Sequence, residues 1–256
     1  MPVLEIEQIP VLDDNYVYLA REPMSGNVAV IDPAVSEAVL ARLKAKNWKL
    51  THILNTHHHG DHVGGNLDLK AATGCTIVGY AKDAARIPGI DVRVDDGDTY
   101  MFGQAPAKVI AVPGHTSGHI AYFFDESRAL FCGDTIFALG CGRLFEGTPQ
   151  QMWSSISKLR VLPEDTRVYC AHEYTQSNAR FALTIETDNQ ALLTRAAEVN
   201  VMRAANKPTV PSTMGVERAT NPFLRADAPG VARAVGLSVA DPTSVFAEVR
   251  RRKDVF

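Results

Sequence analysis

The stretch Thr56-His57-His58-His59-Gly60-Asp61-His62 contains four of the eight histidines of this 256-residue chain. It therefore decides how the chain is interpreted. Residues 50–55 before it are rich in strand formers, and residues 66–70 after it favour a helix. The stretch is therefore predicted to be a loop between a strand and a helix. Such loops present side chains to a ligand without burying unpaired backbone groups.

One turn of this loop can supply four metal ligands. His57 and His59 are two residues apart, so a locally extended chain points both side chains in the same direction. Asp61 and His62 follow Gly60, which can take unusual backbone angles and bend the chain back over the same point. The stretch predicts a metal site whose remaining ligands should follow other strands.

Three further candidate ligands each come directly after a predicted strand. They are His115 after strand 108–112, Asp134 after strand 129–132, and His172 after strand 166–171. Loop side chains at strand ends tend to converge, so we expect these three to join the same site. For His119, a supporting role beside the metal ligands is favoured over direct ligation.

Seven candidate ligands are too many for one tetrahedral zinc ion. They suit two ions that share one carboxylate. The first ion is assigned His57, His59 and His115, and the second is assigned Asp61, His62 and His172. Asp134 is assigned as the bridge between them. Two such ions can hold a water and lower its pKa from about 15.7 toward ~7, which creates a hydroxide nucleophile. Zinc is the expected metal, with iron or manganese as alternatives, because imidazole and carboxylate ligands suit several metals.

Composition narrows the class of protein. The hydrophobic fraction of 46% and the charged fraction of 21% are those of an ordinary globular domain. A net charge of −3 argues against nucleic-acid binding, and no apolar run is long enough to span a membrane. The N-terminal residues lack the pattern of a signal peptide. Four cysteines without CxxC spacing predict free thiols and a cytoplasmic location. A monomer acting on a small molecule is expected.

The distribution of strand and helix signals predicts two domains. Up to residue 172 many strands alternate with helices, including a helix at 36–46 that Ser36 could cap, which indicates an α/β or α+β sandwich. Helical composition then dominates 176–206, a proline-containing linker is predicted at 207–222, and a last helix at 243–252. The predicted domains are 1–172 and 173–256.

Other catalytic chemistries lack their motifs. The sequence has no GxSxG elbow, no GxxxxGK[ST] phosphate loop and no HExxH helix. Cys141 between two glycines could act as a nucleophile, although a small residue in a tight loop is the simpler interpretation.

Several motifs together resemble the metallo-β-lactamase superfamily, and within it the glyoxalase II (hydroxyacylglutathione hydrolase) family. The superfamily motifs are THHHGDH at 56–62, PGHT at 113–116, CGDT at 132–135 and AHEY at 171–174. The more specific segments are CGRLFEGT at 141–148, CAHEYT at 170–175, NPFLR at 221–225 and RRRKD at 250–254.

This resemblance implies a fold and an activity. The fold is an αββα sandwich followed by a small helical C-terminal domain that binds substrate. The activity is hydrolysis of S-D-lactoylglutathione to glutathione and D-lactate, the second step of methylglyoxal detoxification. The seven ligands match the family pattern, and catalytic roles are implied for Asp61 and Asp134.

The resemblance also implies the residues that bind the glutathione part. They are Arg143, Phe145, Tyr174, Arg250 and Lys253. Glutathione has two carboxylates, which arginine and lysine can pair with. Some family members have tyrosine where this chain has Phe145, so here the ring lacks a hydroxyl donor.

Three other functions compete with a glutathione thioesterase. A glutathione persulfide dioxygenase would use the same fold with a single iron, but the full second set of ligands favours two metals. A lactonase or β-lactamase-like hydrolase is disfavoured by the basic residues near the C-terminus. A non-enzymatic metal-binding module is disfavoured because a structural site is normally closed to water.

Overall fold

Strands and helices follow the hydrophobic pattern of the sequence over residues 3–256, which the computed structural model describes. The first predicted domain begins at Met1, but Met1 and Pro2 lie outside the described residues. The strands are β1 Glu5–Val11, β2 Asn15–Arg21, β3 Val28–Ile31, β4 His52–Leu54, β5 Thr76–Tyr80, β6 Val92–Val94, β7 Thr99–Phe102, β8 Ala105–Ala111, β9 Ile120–Phe124, β10 Ala129–Gly133, β11 Ile136–Phe137, β12 Gly140–Cys141, β13 Arg167–Cys170 and β14 Ser212–Thr213.

The α-helices lie between these strands and, in greater number, near the C-terminus. They are α1 Ser36–Lys46, α2 Gly60–Val63, α3 Asn66–Thr73, α4 Pro149–Leu159, α5 Thr175–Ile185, α6 Gln190–Ala204, α7 Met214–Thr220, α8 Pro229–Val235 and α9 Pro242–Asp254. None of the helices within residues 3–256 combines the length and the apolar character needed to cross a membrane.

The predicted linker at 207–222 is wrong, because β14 and α7 form within it. The Thr213 side chain accepts a hydrogen bond from the backbone N–H of Val216 and caps α7. The prolines Pro208, Pro211 and Pro222 flank these elements and do not interrupt them. The capping role predicted for Ser36 is also wrong. The N-cap of α1 is Val35, and the Ser36 hydroxyl donates instead to Asp68 Oδ2 at 3.3 Å.

The described chain divides into two compact units. The first comprises residues up to Ala111 together with Ser117–Gly133, and the second comprises Val112–Thr116 and Asp134–Phe256. The strand-rich segments and the helix-rich C-terminal segments give the mixed α/β class that the sequence predicts. The domain boundary between residues 172 and 173 stays a prediction.

The first unit contains strands of two sheets. One sheet has the order β1-β2-β3-β4-β5-β6, in which β1, β2 and β3 are antiparallel and β3 to β6 are parallel. In the other sheet, β10, β9, β8 and β7 of this unit are neighbours in that order and pair antiparallel. The register aligns Ile31 with Leu54 and Leu54 with Val78. The segments that follow β3 and β4 therefore leave the sheet at the same edge, where open α/β sheets usually bind ligands.

Helices α1 and α3 provide the crossover connections that parallel strands need. Val39 and Leu43 of α1 and Leu69 of α3 are buried in one cluster with apolar side chains of the first sheet. Burying each of these side chains contributes about 1.5–3 kcal/mol. The facing sheets are joined by Tyr122, whose hydroxyl donates to the carbonyl of Asn55 at 3.1 Å. This packing fixes the strand that leads into the histidine-rich loop.

The second unit contains the antiparallel pairs β11–β12 and β13–β14, with helices α4 to α9. Thr148 and Gln151 form a capping box at the start of α4. A chain of aromatic contacts then holds the helices: Phe181 stacks on Phe223 at 6.0 Å, and Phe223 meets Phe246 of α9 at 5.8 Å. These contacts set the position of the C-terminal helix, which has basic residues in its last turn.

Candidate metal centre

The first unit brings four predicted ligands together on the loop and the short helix α2. His57 and His62 are fully buried, and their ring centroids lie 4.0 Å apart. His57 Nε2 lies 3.1 Å from His59 Nδ1, and His62 Nε2 lies 3.6 Å from Asp61 Oδ2. Gly60 begins α2 and does not have a positive φ, so the chain turns here without the unusual backbone angles that the sequence analysis attributed to this glycine. The stretch thus presents two pairs of donor atoms, as expected from its spacing.

Asp32 is a functional residue that the sequence analysis missed. It follows β3, is 4% exposed, and its Oδ2 lies 3.1 Å from His62 Nδ1. With its proton on Nδ1 donated to this carboxylate, the His62 ring keeps the Nε2 lone pair for a metal. The signal in the sequence is an aspartate directly after an apolar strand-forming segment, 28–31.

Asp32 also orients His57 through Thr56. Oδ1 of Asp32 accepts the backbone N–H of Thr56 at 2.7 Å, and Oδ2 accepts its hydroxyl at 2.6 Å. The Thr56 oxygen lies 3.1 Å from His57 Nδ1 and can accept that N–H, since its own proton is donated to Asp32. One buried carboxylate therefore sets the tautomer of two histidines so that both Nε2 atoms can bind a cation.

The remaining polar side chains of this unit surround the donor atoms. Asn15 Nδ2 donates to Asp61 Oδ2 at 3.0 Å, which fixes that carboxylate. His119 is fully buried and stacks on the His57 ring, with centroids 4.5 Å apart and planes 17° apart. His58 points instead to Asp83, with Nδ1 3.0 Å from Oδ2. His119 thus supports a donor ring.

The second unit brings its three predicted ligands together around one carboxylate oxygen. Asp134 Oδ2 lies 3.4 Å from His115 Nε2 and 3.5 Å from His172 Nε2, and all three side chains are buried. His115 Nδ1 lies 2.8 Å from the carbonyl of Arg143, which accepts its proton and leaves Nε2 as the donor atom for a metal. Asp134 Oδ2 therefore lies close to the Nε2 atoms of two imidazoles.

These separations fit divalent ions. For a tetrahedral ion with donor atoms about 2.1 Å away, neighbouring donors lie about 3.4 Å apart. The donor pairs within the two units are separated by 3.1, 3.6, 3.4 and 3.5 Å. Imidazole and carboxylate ligands, with the imidazole tautomers set by hydrogen bonds, suit zinc, iron and manganese. The histidine and aspartate groups imply that the chain binds divalent metal ions.

Three of the predicted substrate-binding residues are accessible. The side chain of Arg143 is 64% exposed, and Phe145 is 63% exposed with its ring 5.2 Å from that of His115. Tyr174 is half-buried and its ring lies parallel to that of His172, with centroids 4.7 Å apart. Two aromatic rings thus lie next to donor residues of the second unit, and the backbone of Arg143 contacts one of these donor residues, His115.

The two basic residues predicted in α9 differ in environment. Arg250 is 5% exposed; its guanidinium donates to the carbonyl of Cys141 at 2.9 Å and pairs with Asp254 at 2.8 Å. Lys253 is partly accessible, and its ammonium lies 5.3 Å from the centre of the Phe181 ring. Burial, reinforced by neighbouring arginines, lowers the pKa of Lys253 to about 8.

Cys141 has no character of a nucleophile. It is 4% exposed, and burial raises the pKa of its thiol to about 11, although Arg250 lies close by. A nucleophilic cysteine needs a depressed pKa and access to the substrate. Arg250 Nη1 donates to the backbone carbonyl of Cys141 at 2.9 Å and contacts its sulfur at 3.8 Å. This agrees with the interpretation of Cys141 as a small residue in a tight loop.

Comparisons with known proteins agree with this site. Residues 12–172 match the metallo-beta-lactamase superfamily, and residues 173–256 match the hydroxyacylglutathione hydrolase C-terminus. A hydroxyacylglutathione hydrolase from Methylococcus capsulatus is 60% identical, with 99% of each chain covered. Another from Rhodospirillum rubrum is 58% identical, with 100% of each chain covered. Among solved structures, ETHE1 from Myxococcus xanthus is 25% identical with a TM-score of 0.68, covering 98% of this chain and 99% of the other.

These matches confirm the resemblance and the fold class predicted from the sequence. The superfamily match covers the segment that contains all seven candidate ligands. The C-terminal match covers the helix-rich segment that contains Tyr174, Arg250 and Lys253. The chain belongs to the metallo-β-lactamase superfamily and, within it, to the hydroxyacylglutathione hydrolase (glyoxalase II) family.

Proposed function

We propose that this chain hydrolyses S-(2-hydroxyacyl)glutathione thioesters, with S-D-lactoylglutathione as the substrate and glutathione and D-lactate as products. The observation that carries the proposal is the 60% identity to a hydroxyacylglutathione hydrolase over 99% of both chains. The identity includes the C-terminal segment, which matches that family's own C-terminal model. This enzyme would act in the second step of methylglyoxal detoxification.

The seven donor residues are proposed to hold two divalent ions, most simply zinc. His57, His59 and His115 would bind one, Asp61, His62 and His172 the other, and Asp134 both. The proposal is supported by the donor separations within each unit and by the hydrogen bonds that orient the imidazoles. When bound, such ions supply positive charge for a developing oxyanion and lower the pKa of water.

The reaction adds one water molecule across the thioester. The water oxygen forms a bond to the carbonyl carbon, the carbon–sulfur bond breaks, and glutathione leaves as a thiolate that takes up a proton. Asp61 and Asp134 are the carboxylates proposed to orient this water and receive its proton. Asn15 fixes the Asp61 carboxylate by donating to Oδ2. No protein nucleophile is needed.

Charged and aromatic side chains of the second unit are proposed to bind the glutathione part. Arg143 and Lys253 would pair with its two carboxylates, because both are cations with accessible side chains. Phe145 and Tyr174 would cover its apolar surface. Direct contact of Arg250 with substrate stays a prediction; its hydrogen bond to Cys141 holds the backbone two residues before Arg143.

One experiment tests both the thioesterase activity and the two-metal assignment. The purified protein is assayed with S-D-lactoylglutathione by release of free thiol, and the same preparation is analysed for metal content. We expect rapid hydrolysis and about two equivalents of metal per chain. High activity with one equivalent would reject the two-metal assignment. Oxygen consumption with glutathione persulfide, without thioester hydrolysis, would favour the dioxygenase alternative.

Location and partners are proposed from composition. The four cysteines are buried free thiols, which supports a reducing compartment such as the cytoplasm. A monomer is proposed, with the thioester as its only partner. Size-exclusion chromatography with light scattering would test this, with a mass near 27.8 kDa expected.

A further inference from the structure

The turn between β11 and β12 is held by side chains from helices that follow it much later in the sequence. All four residues of the turn, 137–140, take part through a backbone group. The bonds are Asn221 Nδ2 to the carbonyls of Phe137 at 3.2 Å and Gly140 at 2.9 Å, Asn178 Nδ2 to the carbonyl of Ala138 at 3.1 Å, and the N–H of Leu139 to Glu217 Oε2 at 2.8 Å.

The turn has little local support of its own. Its two strands, Ile136–Phe137 and Gly140–Cys141, are only two residues long. Leu139 has a φ of 59°, in the left-handed region that non-glycine residues rarely adopt. A non-glycine residue keeps such a conformation only where the surrounding structure imposes it. The hydrogen bonds from α5 and α7 therefore determine the conformation of this turn.

Glu217 is the centre of this arrangement. It is fully buried, and its carboxylate accepts from three donors: the N–H of Leu139, the Ser212 hydroxyl at 2.5 Å, and Asn221 Nδ2 at 2.9 Å. A buried carboxylate is costly unless its oxygens are hydrogen-bonded, so these bonds maintain the group at this position. Because Oε2 accepts from both Leu139 and Asn221, Glu217 fixes the turn directly and also orients the amide that holds its two ends.

The turn carries a side chain that reaches the site. The Phe137 ring meets His172 edge-on, with centroids 5.8 Å apart and planes at 86°. It meets Tyr174 in the same way at 5.2 Å and 83°. His172 and Tyr174 are themselves stacked, so Phe137 packs against the edges of a pair of parallel rings. Any shift of the turn would therefore move the Phe137 ring, which packs against both His172 and Tyr174.

We propose that Glu217 is a positioning residue for the reaction, acting with Asn221 through the turn and Phe137. It holds Phe137 so that the rings of His172 and Tyr174 keep the orientation needed for metal binding and for substrate contact. The roles of these two rings rest on the proposed function, whereas the hydrogen bonds to the turn do not. A purely structural Glu217 would affect the amount of folded protein but not the affinity for substrate.

Two substitutions of Glu217 distinguish a positioning role from a purely structural role. In E217Q, Oε1 can accept from Leu139 and Asn221, while the amide donates to the Ser212 oxygen, which can also act as an acceptor. In E217A all three donors lose their acceptor. Val231→Ala in α8 is the control, because it creates a cavity in the same unit at a fully buried position. Phe137→Leu tests the next step, since it leaves the backbone bonds of the turn in place.

The variants are compared as full-length, metal-loaded proteins by amide hydrogen exchange, by calorimetric titration with glutathione and by steady-state kinetics. We expect E217A to lose protection at the Leu139 amide and to raise KM and the Kd for glutathione about tenfold, as loss of a supporting partner typically does. E217Q should stay within about twofold of the wild type, since its hydrogen bonds are retained. F137L should raise KM similarly with Leu139 still protected.

Three results would overturn the proposal. They are full protection of the Leu139 amide in E217A, a rise in KM in E217A no larger than in V231A, and an unchanged KM in F137L. If E217A does not fold, the F137L result decides alone. Failure of the wild-type protein to hydrolyse the thioester would contradict the proposed function, and the exchange measurement at Leu139 would still report on the turn.

Discussion

The carboxylate of Asp32 lies 3.1 Å from Nδ1 of His62, and the two side chains are 30 residues apart in the sequence. This contact fixes which nitrogen of His62 carries the proton, so the opposite nitrogen has its lone pair available for a metal. The same carboxylate also binds Thr56, which contacts His57. Asp32 therefore prepares two donor atoms through its hydrogen bonds.

Replacing Asp32 with Asn should weaken metal binding. The Asn amide would present N–H to His62 Nδ1, which then must act as an acceptor and moves the ring proton to Nε2. We expect metal affinity to fall about 10–100-fold, measured by competition with a chromophoric chelator. The matched control is Asp83→Asn, because Asp83 is equally buried but contacts the non-ligand His58. Equal losses in both variants would contradict the orienting role of Asp32.

Substrate affinity should depend on the protonation of Lys253. Its pKa is lowered to about 8, so the cation that we propose to pair with a glutathione carboxylate is lost as pH rises above this value. We expect KM to increase about tenfold between pH 7 and pH 9, with no such increase in K253R, because arginine stays charged. A parallel rise in K253R would assign the pH dependence to another group.

Ionisation of Lys253 should also affect stability in a defined direction. Its folded pKa of about 8 lies below the value of about 10.4 in an unfolded chain. Between these values the unfolded state binds more protons, so this group adds stability as the pH rises through that window. K253M should lack this contribution, which urea unfolding at pH 7.5 and pH 9.5 would show. If the free energy of unfolding changed equally with pH in the wild type and in K253M, the lowered pKa of Lys253 would be contradicted.

Cys141 should be dispensable as a thiol. Burial raises its pKa to about 11, so almost no thiolate exists at neutral pH. We expect C141A to keep kcat/KM within about threefold of the wild type, because Arg250 loses its 3.8 Å contact to the sulfur but keeps its 2.9 Å hydrogen bond to the backbone carbonyl. C132A is a control at another fully buried cysteine. A hundredfold loss in C141A alone would indicate a catalytic role for the sulfur.

Adding a hydroxyl at Phe145 should strengthen substrate binding. The ring is 63% exposed, so a phenolic oxygen could donate to the glutathione part without being buried. We expect F145Y to lower KM for the glutathione thioester about two- to tenfold, the value of one hydrogen bond. A small thioester without the peptide should show no change. Equal effects on both substrates would place the new hydroxyl at the acyl group instead.

The sequence alone determined the metal chemistry and the fold class. Ligand type and spacing within residues 56–62 are local properties, and a strand followed by a loop is enough to bring such side chains together. The isolated candidate ligands His115, Asp134 and His172 could be found because each follows a strong strand pattern. The helix at 36–46 is predicted with the bounds that the structure has, since its hydrophobic period is clear.

Only the tertiary structure decided which polar side chains support the site. Asp32, Glu217 and Asn221 act through hydrogen bonds to residues 24 to 84 positions away, and such contacts leave no period or motif in the sequence. Likewise, the basic run of α9 divides into a buried Arg250 and a partly accessible Lys253 only when the helix packs. Ligand identity is a property of local spacing, whereas proton position, ring orientation and burial depend on partners that folding brings from distant parts of the chain.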